Sequence, residues 1–271
     1  MATAEHADDR LSALLPLLGV PLPSPTAVLA DPNDARRRLR VWLTVSPTRE
    51  IPAEAWPLLD ALFADEATRR PVTRAADLPR LAGTGWGARV SVWRGDITTL
   101  AVDALVNAAN NRMTGCWSPF HACVDNAIHS AAGPRLRQAC EALMAERGRF
   151  EPTATATVTP AGALSARYVV HTVGPIVQTP PPTADDARLL ARCYAACFDA
   201  VAGLAGVSSL AFCGISTGVF GYPPAAAAPV ALAAVREALA RSSTPEHVVF
   251  VTYTAAEHEV FSAAVQEALR G

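Results

Sequence analysis

The stretch Val90-Ser91-Val92-Trp93-Arg94-Gly95-Asp96-Ile97-Thr98-Thr99-Leu100-Ala101-Val102-Asp103-Ala104-Leu105-Val106-Asn107-Ala108-Ala109-Asn110-Asn111 decides the architecture. It holds two short runs rich in valine, each ending at a cluster of turn-forming polar residues, which predicts strands over 90–93 and 104–108. Outward from it the same texture continues, with short β-branched runs separated by longer alanine- and leucine-rich stretches. Further strands are predicted over 155–159, 168–173, 209–212 and 248–253, and helices over 125–146, 185–204, 224–241 and 256–269. Strands alternating with helices indicate an α/β domain. The alanine run Ala225–Ala228 reads as helix filler behind Pro223 and Pro224, where proline is tolerated.

Before this domain the pattern is helical. Leu11, Leu14, Leu15 and Leu18 form a stripe, with Pro16 kinking or shortening its helix. A turn is expected at Pro21-Leu22-Pro23-Ser24-Pro25, and amphipathic stretches follow over about 34–43 and 53–66. Pro71, Pro79, Gly83, Gly85 and Gly87 then interrupt the pattern. Residues 1–85 therefore form a small helical extension, and residues 86–271 the α/β domain.

With 271 residues, 51% of them hydrophobic, the chain is long enough to bury one large core and a small accessory lobe. A formal charge of -2 offers no broad basic field, which argues against duplex nucleic acid as a partner. No apolar run reaches the roughly 20 residues that span a bilayer, so no membrane role is expected. The opening residues MATAEHADDR are acidic where a secretory signal is basic, and a cytoplasmic location is expected. The six cysteines then read as thiols. Cys140, Cys193, Cys197 and Cys213 lie among apolar neighbours, as small buried hydrophobes do.

Three segments carry chemistry. Asp96 and Asn110 follow predicted strands, where ligands of open α/β sheets collect. Asp96 can accept from an adenine amino group and Asn110 can meet a ribose hydroxyl, although Asp96 alone also fits a plain N-cap. The second segment is Cys213-Gly214-Ile215-Ser216-Thr217-Gly218-Val219-Phe220-Gly221-Tyr222-Pro223. Its glycines allow close backbone approach to a diphosphate, while Ser216, Thr217, Phe220 and Tyr222 supply polar and stacking groups. Neither Walker nor Rossmann fingerprints occur, and Gly83-Thr84-Gly85-Trp86-Gly87 precedes a strand with the wrong spacing.

The third segment is Gly115-Cys116-Trp117-Ser118-Pro119-Phe120-His121-Ala122-Cys123-Val124-Asp125-Asn126-Ala127-Ile128-His129. Two thiols and an imidazole, Cys116, His121 and Cys123, fall in a loop that Gly115 and Pro119 keep irregular. That donor set suits zinc, and three protein ligands leave a fourth position for water or a substrate oxygen. Two buried cysteines with a satisfied histidine would account for the same letters. Asp125 and Asn126 open a helix, where a carboxylate is favoured by the dipole and is equally a cap. His129, one turn on, is expected in a core or hydrogen-bonding role.

Taken together, GDIT, VNAANN, the GC-x4-H-x-C-x-DN-x-IH loop with AGPRLR after it, VVHTVGP and GISTGVFGYP resemble the zinc-dependent branch of the macrodomain family. The likeness runs from about Val90 to the C-terminus, and the helical extension is similar too. Thr44-Val45-Ser46-Pro47 departs from that branch's basic-proline stretch, with an effect expected on packing. The resemblance implies a three-layer α/β/α sandwich with a mixed sheet, binding ADP-ribose and hydrolysing ADP-ribosyl-protein linkages. It assigns Asp96 and Ile97 to adenine and Asn110 to the distal ribose. Val124, Asp125 and Asn126 fall against that ribose, and Ser216, Thr217, Gly218, Val219 and Phe220 form the diphosphate loop. Tyr253 packs on adenine, and Cys116, His121 and Cys123 hold Zn2+.

Asn110, Asp125 and Asn126 are the residues expected to carry hydrolysis. The two macrodomain loop types differ enough that Asp125 is open to three roles: orienting water, holding ribose or capping the helix. The expected partner is a mono-ADP-ribosylated protein. Two other functions fit the same pocket: a reader that binds ADP-ribose without cleaving it, and an O-acyl-ADP-ribose deacylase.

Overall fold

The computed structural model describes residues 2–21, 34–81 and 84–270. The expected turn after Pro21 lies outside the described residues, as does Gly83. Three helices come first: α1 (Ala2–Leu17), α2 (Asp34–Val45) and α3 (Ala55–Arg69). Pro16 falls in the final turn of α1, so it ends the helix rather than bending it. The leucine stripe of α1 packs with Leu39, Leu59, Leu62 and Phe63 into a small core of its own.

A short strand β1 (Thr73–Arg74) follows, then β2 (Val90–Arg94), β3 (Leu100–Ala108), β4 (Ala156–Pro160), β5 (Ala166–Thr172), β6 (Ser209–Phe212) and β7 (His247–Thr252). They form one mixed sheet in the order β2-β7-β6-β3-β5-β4, with β1 on the beginning of β3. Among the described residues, only the β4–β5 pairing is antiparallel. The short β1 went unpredicted because two residues carry no periodicity. Helices α6 (Ala184–Ala202), α7 (Pro224–Arg241) and α8 (Ala255–Ala268) cover one face of the sheet; α4 (Val124–Ala132) and α5 (Pro134–Arg147) cover the other. The result is the three-layer α/β/α sandwich.

Strand alternation explains the two cores. Ala104, Val106, Val170, Leu210, Phe212, Val248 and Phe250 face α6–α8, whereas Leu105, Val169, Ala211, Val249 and Val251 face α4 and α5. Local signals set the helix starts. Thr183 with Asp186 and Thr254 with Glu257 form capping boxes on α6 and α8, and α7 begins on Pro224. The single helix expected over 125–146 is in fact two, because Gly133 at φ 80° and Pro134 after it end α4 and start α5. Only glycine takes that φ without strain, and Pro134 is preorganised for a first turn.

Polar contacts dock the extension onto α5. Arg137 Nη1 donates to the carbonyls of Leu43 and Thr44 at 2.6 and 2.9 Å, and Arg135 pairs with Asp60 at 2.6 Å. The Thr44–Pro47 stretch is thus where α2 ends and where Arg137 caps its free carbonyls.

Candidate active site

Because β2, β3, β6 and β7 run parallel, their carboxyl ends share one edge, and the loops that leave them enclose a cleft of about 920 Å³. Asp96, Ile97, Asn110, Val124, Asp125 and Tyr253 line it, and so do Cys116, His121, Cys123 and Ser216–Phe220. That volume suits a ligand of nucleotide size.

At one end, Asp96 Oδ1 accepts from Thr98 N and Thr98 Oγ1 at 2.9 and 2.8 Å, capping the short 3-10 turn Ile97–Thr99. The cap and a ligand-facing position therefore coincide. Tyr253, 75% exposed, stands at the rim. In the middle, the loop after β6 closes on itself through Gly221 N to Gly218 O and Tyr222 N to Ser216 O, both 3.0 Å. Among the described residues, the amides of Thr217, Gly218, Val219 and Phe220 find no backbone acceptor. Ser216 holds φ 65°, and its buried Oγ has no hydrogen-bond partner. A buried hydroxyl without a partner is costly, and an anion in the cleft would satisfy it. Gly174 lies so close to Ser216 Oγ that any β-carbon there would collide. Tyr222, expected to stack on ligand, is 1% exposed and packs in the main core instead.

At the other end stands Asp125, 5% exposed. Asn107 Nδ2 donates to its Oδ1 at 2.7 Å, and Asn110 Nδ2 lies 3.4 Å from its Oδ2. Burial pushes its pKa up to about 6 against the Asn107 hydrogen bond and Arg137. Asp125 does not cap α4: Cys123 does, its Sγ accepting from Asn126 N at 3.4 Å. Asn126 is 2% exposed and turns from the cleft, donating to Ser118 O at 2.9 Å and accepting from Arg40 Nη2 at 3.0 Å. It braces the loop rather than facing a ligand.

The sulfur and ring-nitrogen atoms of Cys116, His121 and Cys123 lie within 4.8 Å of one another. Cys116 Sγ is 3.5 Å from His121 Nδ1, against roughly 3.6 Å between S and N across a tetrahedral zinc with ordinary bond lengths. Burial, with Cys116 and Asp125 nearby, pushes the Cys123 thiol up to about 11. A cation between the sulfurs would reverse that preference, and the donor set fits zinc. Gly115 at φ 84° starts the loop, and a β-carbon there would press on the His129 ring.

Behind this loop lies a second trio, His129, Cys140 and His171, also within 4.8 Å and fully buried. Asn107 Nδ2 donates to His171 Nδ1 at 3.2 Å, so His171 Nε2 carries the proton and donates to Thr159 Oγ1 at 2.9 Å. Neither ring nitrogen of His171 keeps a lone pair for a metal. His129 fills a core position, but its ring nitrogens make no hydrogen bond. The other four cysteines are buried as expected, at 0% exposure for Cys140, Cys193 and Cys197 and 7% for Cys213.

Two contributors escaped the sequence reading. Asn107 carried a usable signal, a polar residue on an inward register of an apolar strand. Arg40, from α2, lines the cleft with no signal beyond its helix.

Comparison with known proteins gives the family and the fold. The family pattern described as "Macro domain" matches residues 106–231. A protein-ADP-ribose hydrolase of Treponema medium is 42% identical over 232 residues, covering 86% of this chain and 88% of that one. One of Staphylococcus aureus strain COL is 37% identical over 220 residues, covering 81% and 80%. Among solved structures, a Trypanosoma brucei macrodomain in complex with ADP-ribose superposes with TM-score 0.62 at 26% identity, covering 93% of this chain and 95% of that one. An Oceanobacillus iheyensis macrodomain with ADP gives 0.59 at 32% identity, covering 67% and 92%.

Proposed function

This chain belongs to the macrodomain family, and from that premise we propose that it is a zinc-dependent hydrolase that releases ADP-ribose from mono-ADP-ribosylated protein. One observation carries the reading: a zinc-type donor trio and the Asn107–Asp125–Asn110 group meet at the same end of a nucleotide-sized cleft. The hydrolase names of the 42% and 37% identical relatives and the ADP-ribose held by the trypanosomal structure support it.

In this mechanism the adenine end binds and the metal end reacts. Asp96 accepts from the adenine amino group while Tyr253 packs on the base. The free amides of the loop after β6 and the Ser216 hydroxyl take the diphosphate, fixing the distal ribose against Asn110. Asn107 and Asn110 hold the Asp125 carboxylate by both oxygens, so that Asp125 orients the attacking water and takes its proton. Zinc held by Cys116, His121 and Cys123 would supply Lewis acidity toward oxygen at the distal ribose. Val124 and the loop exclude bulk water from that end.

The test is release of ADP-ribose from a mono-ADP-ribosylated protein by purified chain of measured zinc content, before and after chelation. The expected result is turnover that falls with zinc and returns on its readdition. Full turnover without metal overturns the zinc chemistry, binding without any turnover makes the chain a reader, and cleavage of O-acyl-ADP-ribose alone makes it a deacylase. None of the described helices is long and apolar enough to cross a membrane. We place the reaction in the cytoplasm, where a two-thiol site stays reduced.

A further inference from the structure

Arg40 lies on α2, outside the α/β domain, yet its guanidinium reaches the loop that carries the zinc donors. Its Nη2 donates to Asn126 Oδ1 at 3.0 Å across 86 residues of sequence. The same guanidinium lies 5.1 Å from the centre of the Phe120 ring, and Arg37 lies 5.1 Å from it as well. Both targets control the donor loop. Phe120 directly precedes His121, and Asn126 Nδ2 donates to Ser118 O while Asn126 N donates to Cys123 Sγ.

We propose that Arg40 is a positioning residue for the metal centre: it holds the Cys116–Cys123 loop in the shape that brings Cys116, His121 and Cys123 to one point. On this reading, which rests on the metal centre proposed above, the helical extension is a working part of the active site.

The loop needs such a brace. Its own backbone bonds within the segment are His121 N to Ser118 O at 3.2 Å and Cys123 N to His121 O at 2.9 Å. Phe120, 42% exposed, sits at φ 58°, a conformation that costs a non-glycine residue energy. Fixing the backbone of a slack loop carries an entropic cost that would weaken metal binding. Contacts from a rigid helix remove it beforehand.

Arginine is the residue that can do this. Its plane stacks on an aromatic ring while an edge nitrogen donates in-plane, which a lysine ammonium does not combine. The Asn126 amide cannot turn over: Arg40 only donates, so Oδ1 must face it and Nδ2 must face Ser118 O. Nor is Arg40 placed for an ordinary ion pair. Its neighbour Arg36 bonds Glu66 at 2.5 Å, but among the described residues no carboxylate lies within salt-bridge distance of Arg40, and its buried Nε has no partner. A cation kept at that cost against a loop is better explained by the site than by stability.

The test replaces zinc by cobalt(II), whose visible spectrum reports thiolate ligation and tetrahedral geometry, in wild type, Arg40→Ala, Arg40→Lys and Arg37→Ala. The expected result is cobalt affinity weakened about tenfold in Arg40→Ala, with altered bands, the size typical for losing a partner that orients ligands. Arg40→Lys, which keeps charge but not the plane, loses nearly as much, and Arg37→Ala, which removes a cation over Phe120 but leaves the bond to Asn126, loses less. Wild-type cobalt affinity and spectrum in folded Arg40→Ala overturn the inference; if that variant does not fold, the same result in Arg40→Lys does so. A wild-type chain that takes up no cobalt overturns the metal-centre reading itself and this inference with it.

Discussion

Cys116, His121 and Cys123, and His129, Cys140 and His171, are two trios of the same donor chemistry, each gathered within 4.8 Å. The first is half-buried on a loop at the cleft, while the second is sealed under α4 and α5. Their hydrogen bonds separate them more sharply than their distances do. His171 spends one nitrogen on Asn107 and the other on Thr159, and burial pushes the Cys140 thiol up to about 12. In the first trio, Cys123 Sγ caps a helix and all three residues line the cleft, so protons released on metal binding can leave. Proximity of donors therefore does not separate the two trios, whereas free lone pairs and a route for protons favour the first as the proposed metal site.

The largest effect expected from this contrast belongs to the first trio. Cys116→Ala lowers hydrolysis about 10³-fold, the several kcal/mol that a Lewis acid supplies, and abolishes stoichiometric metal by elemental analysis. Cys140→Ala leaves metal content unchanged. Metal lost from the second variant and kept by the first would reverse the assignment. Next comes Asp125→Asn, which keeps the shape and the metal but removes the proton acceptor, lowering kcat about 10²-fold at near-constant KM. Unchanged kcat would leave Asp125 with ribose binding alone.

Much of this was legible in the sequence. The strand–helix alternation and the Cys116–His121–Cys123 trio lie in contiguous sequence with their own periodicity or spacing, while the mixed sheet followed from the family resemblance. Asn126 misled because adjacency to Asp125 suggested a shared direction. On a helix, consecutive residues point about 100° apart, which sends Asn126 toward α2. Tyr222 misled similarly: the tight turn after β6 sends Phe220 to the cleft and Tyr222 to the core. Arg40 was illegible because its bond to Asn126 joins helices 86 residues apart in sequence, and no local pattern encodes that.

The buried trio should govern acid stability instead. Burial holds the His171 pKa down at about 3, below the 6.5 of a free histidine. A depressed histidine contributes stability that is full above pH 6.5 and is lost as pH falls toward 3. Between pH 7 and pH 5 that share is about 2 kcal/mol. Asp125, pushed up to about 6, has the opposite sign and gains stability over part of the same range. Urea unfolding at both pH values in wild type and His171→Gln isolates the histidine: the variant should lose about 2 kcal/mol less on acidification. Equal losses would mean that His171 is not held neutral.

The smallest effect lies at the far end of the cleft, where neither trio should respond. Asp96 both caps the turn Ile97–Thr99 and lines the pocket, so an alanine there confounds two roles. Asp96→Asn separates them. Its carbonyl oxygen can still accept from Thr98, preserving the cap, while an amino group replaces the oxygen left for adenine. Losing a hydrogen bond to a charged acceptor should weaken ADP-ribose binding about tenfold by calorimetry, with the melting temperature and metal content unchanged. Weaker binding together with a lowered melting temperature would show instead that the cap was the larger contribution and that adenine is read by Ile97 and Tyr253. In that case the two ends of the cleft differ in kind, one built from backbone and apolar surface and the other from charged side chains.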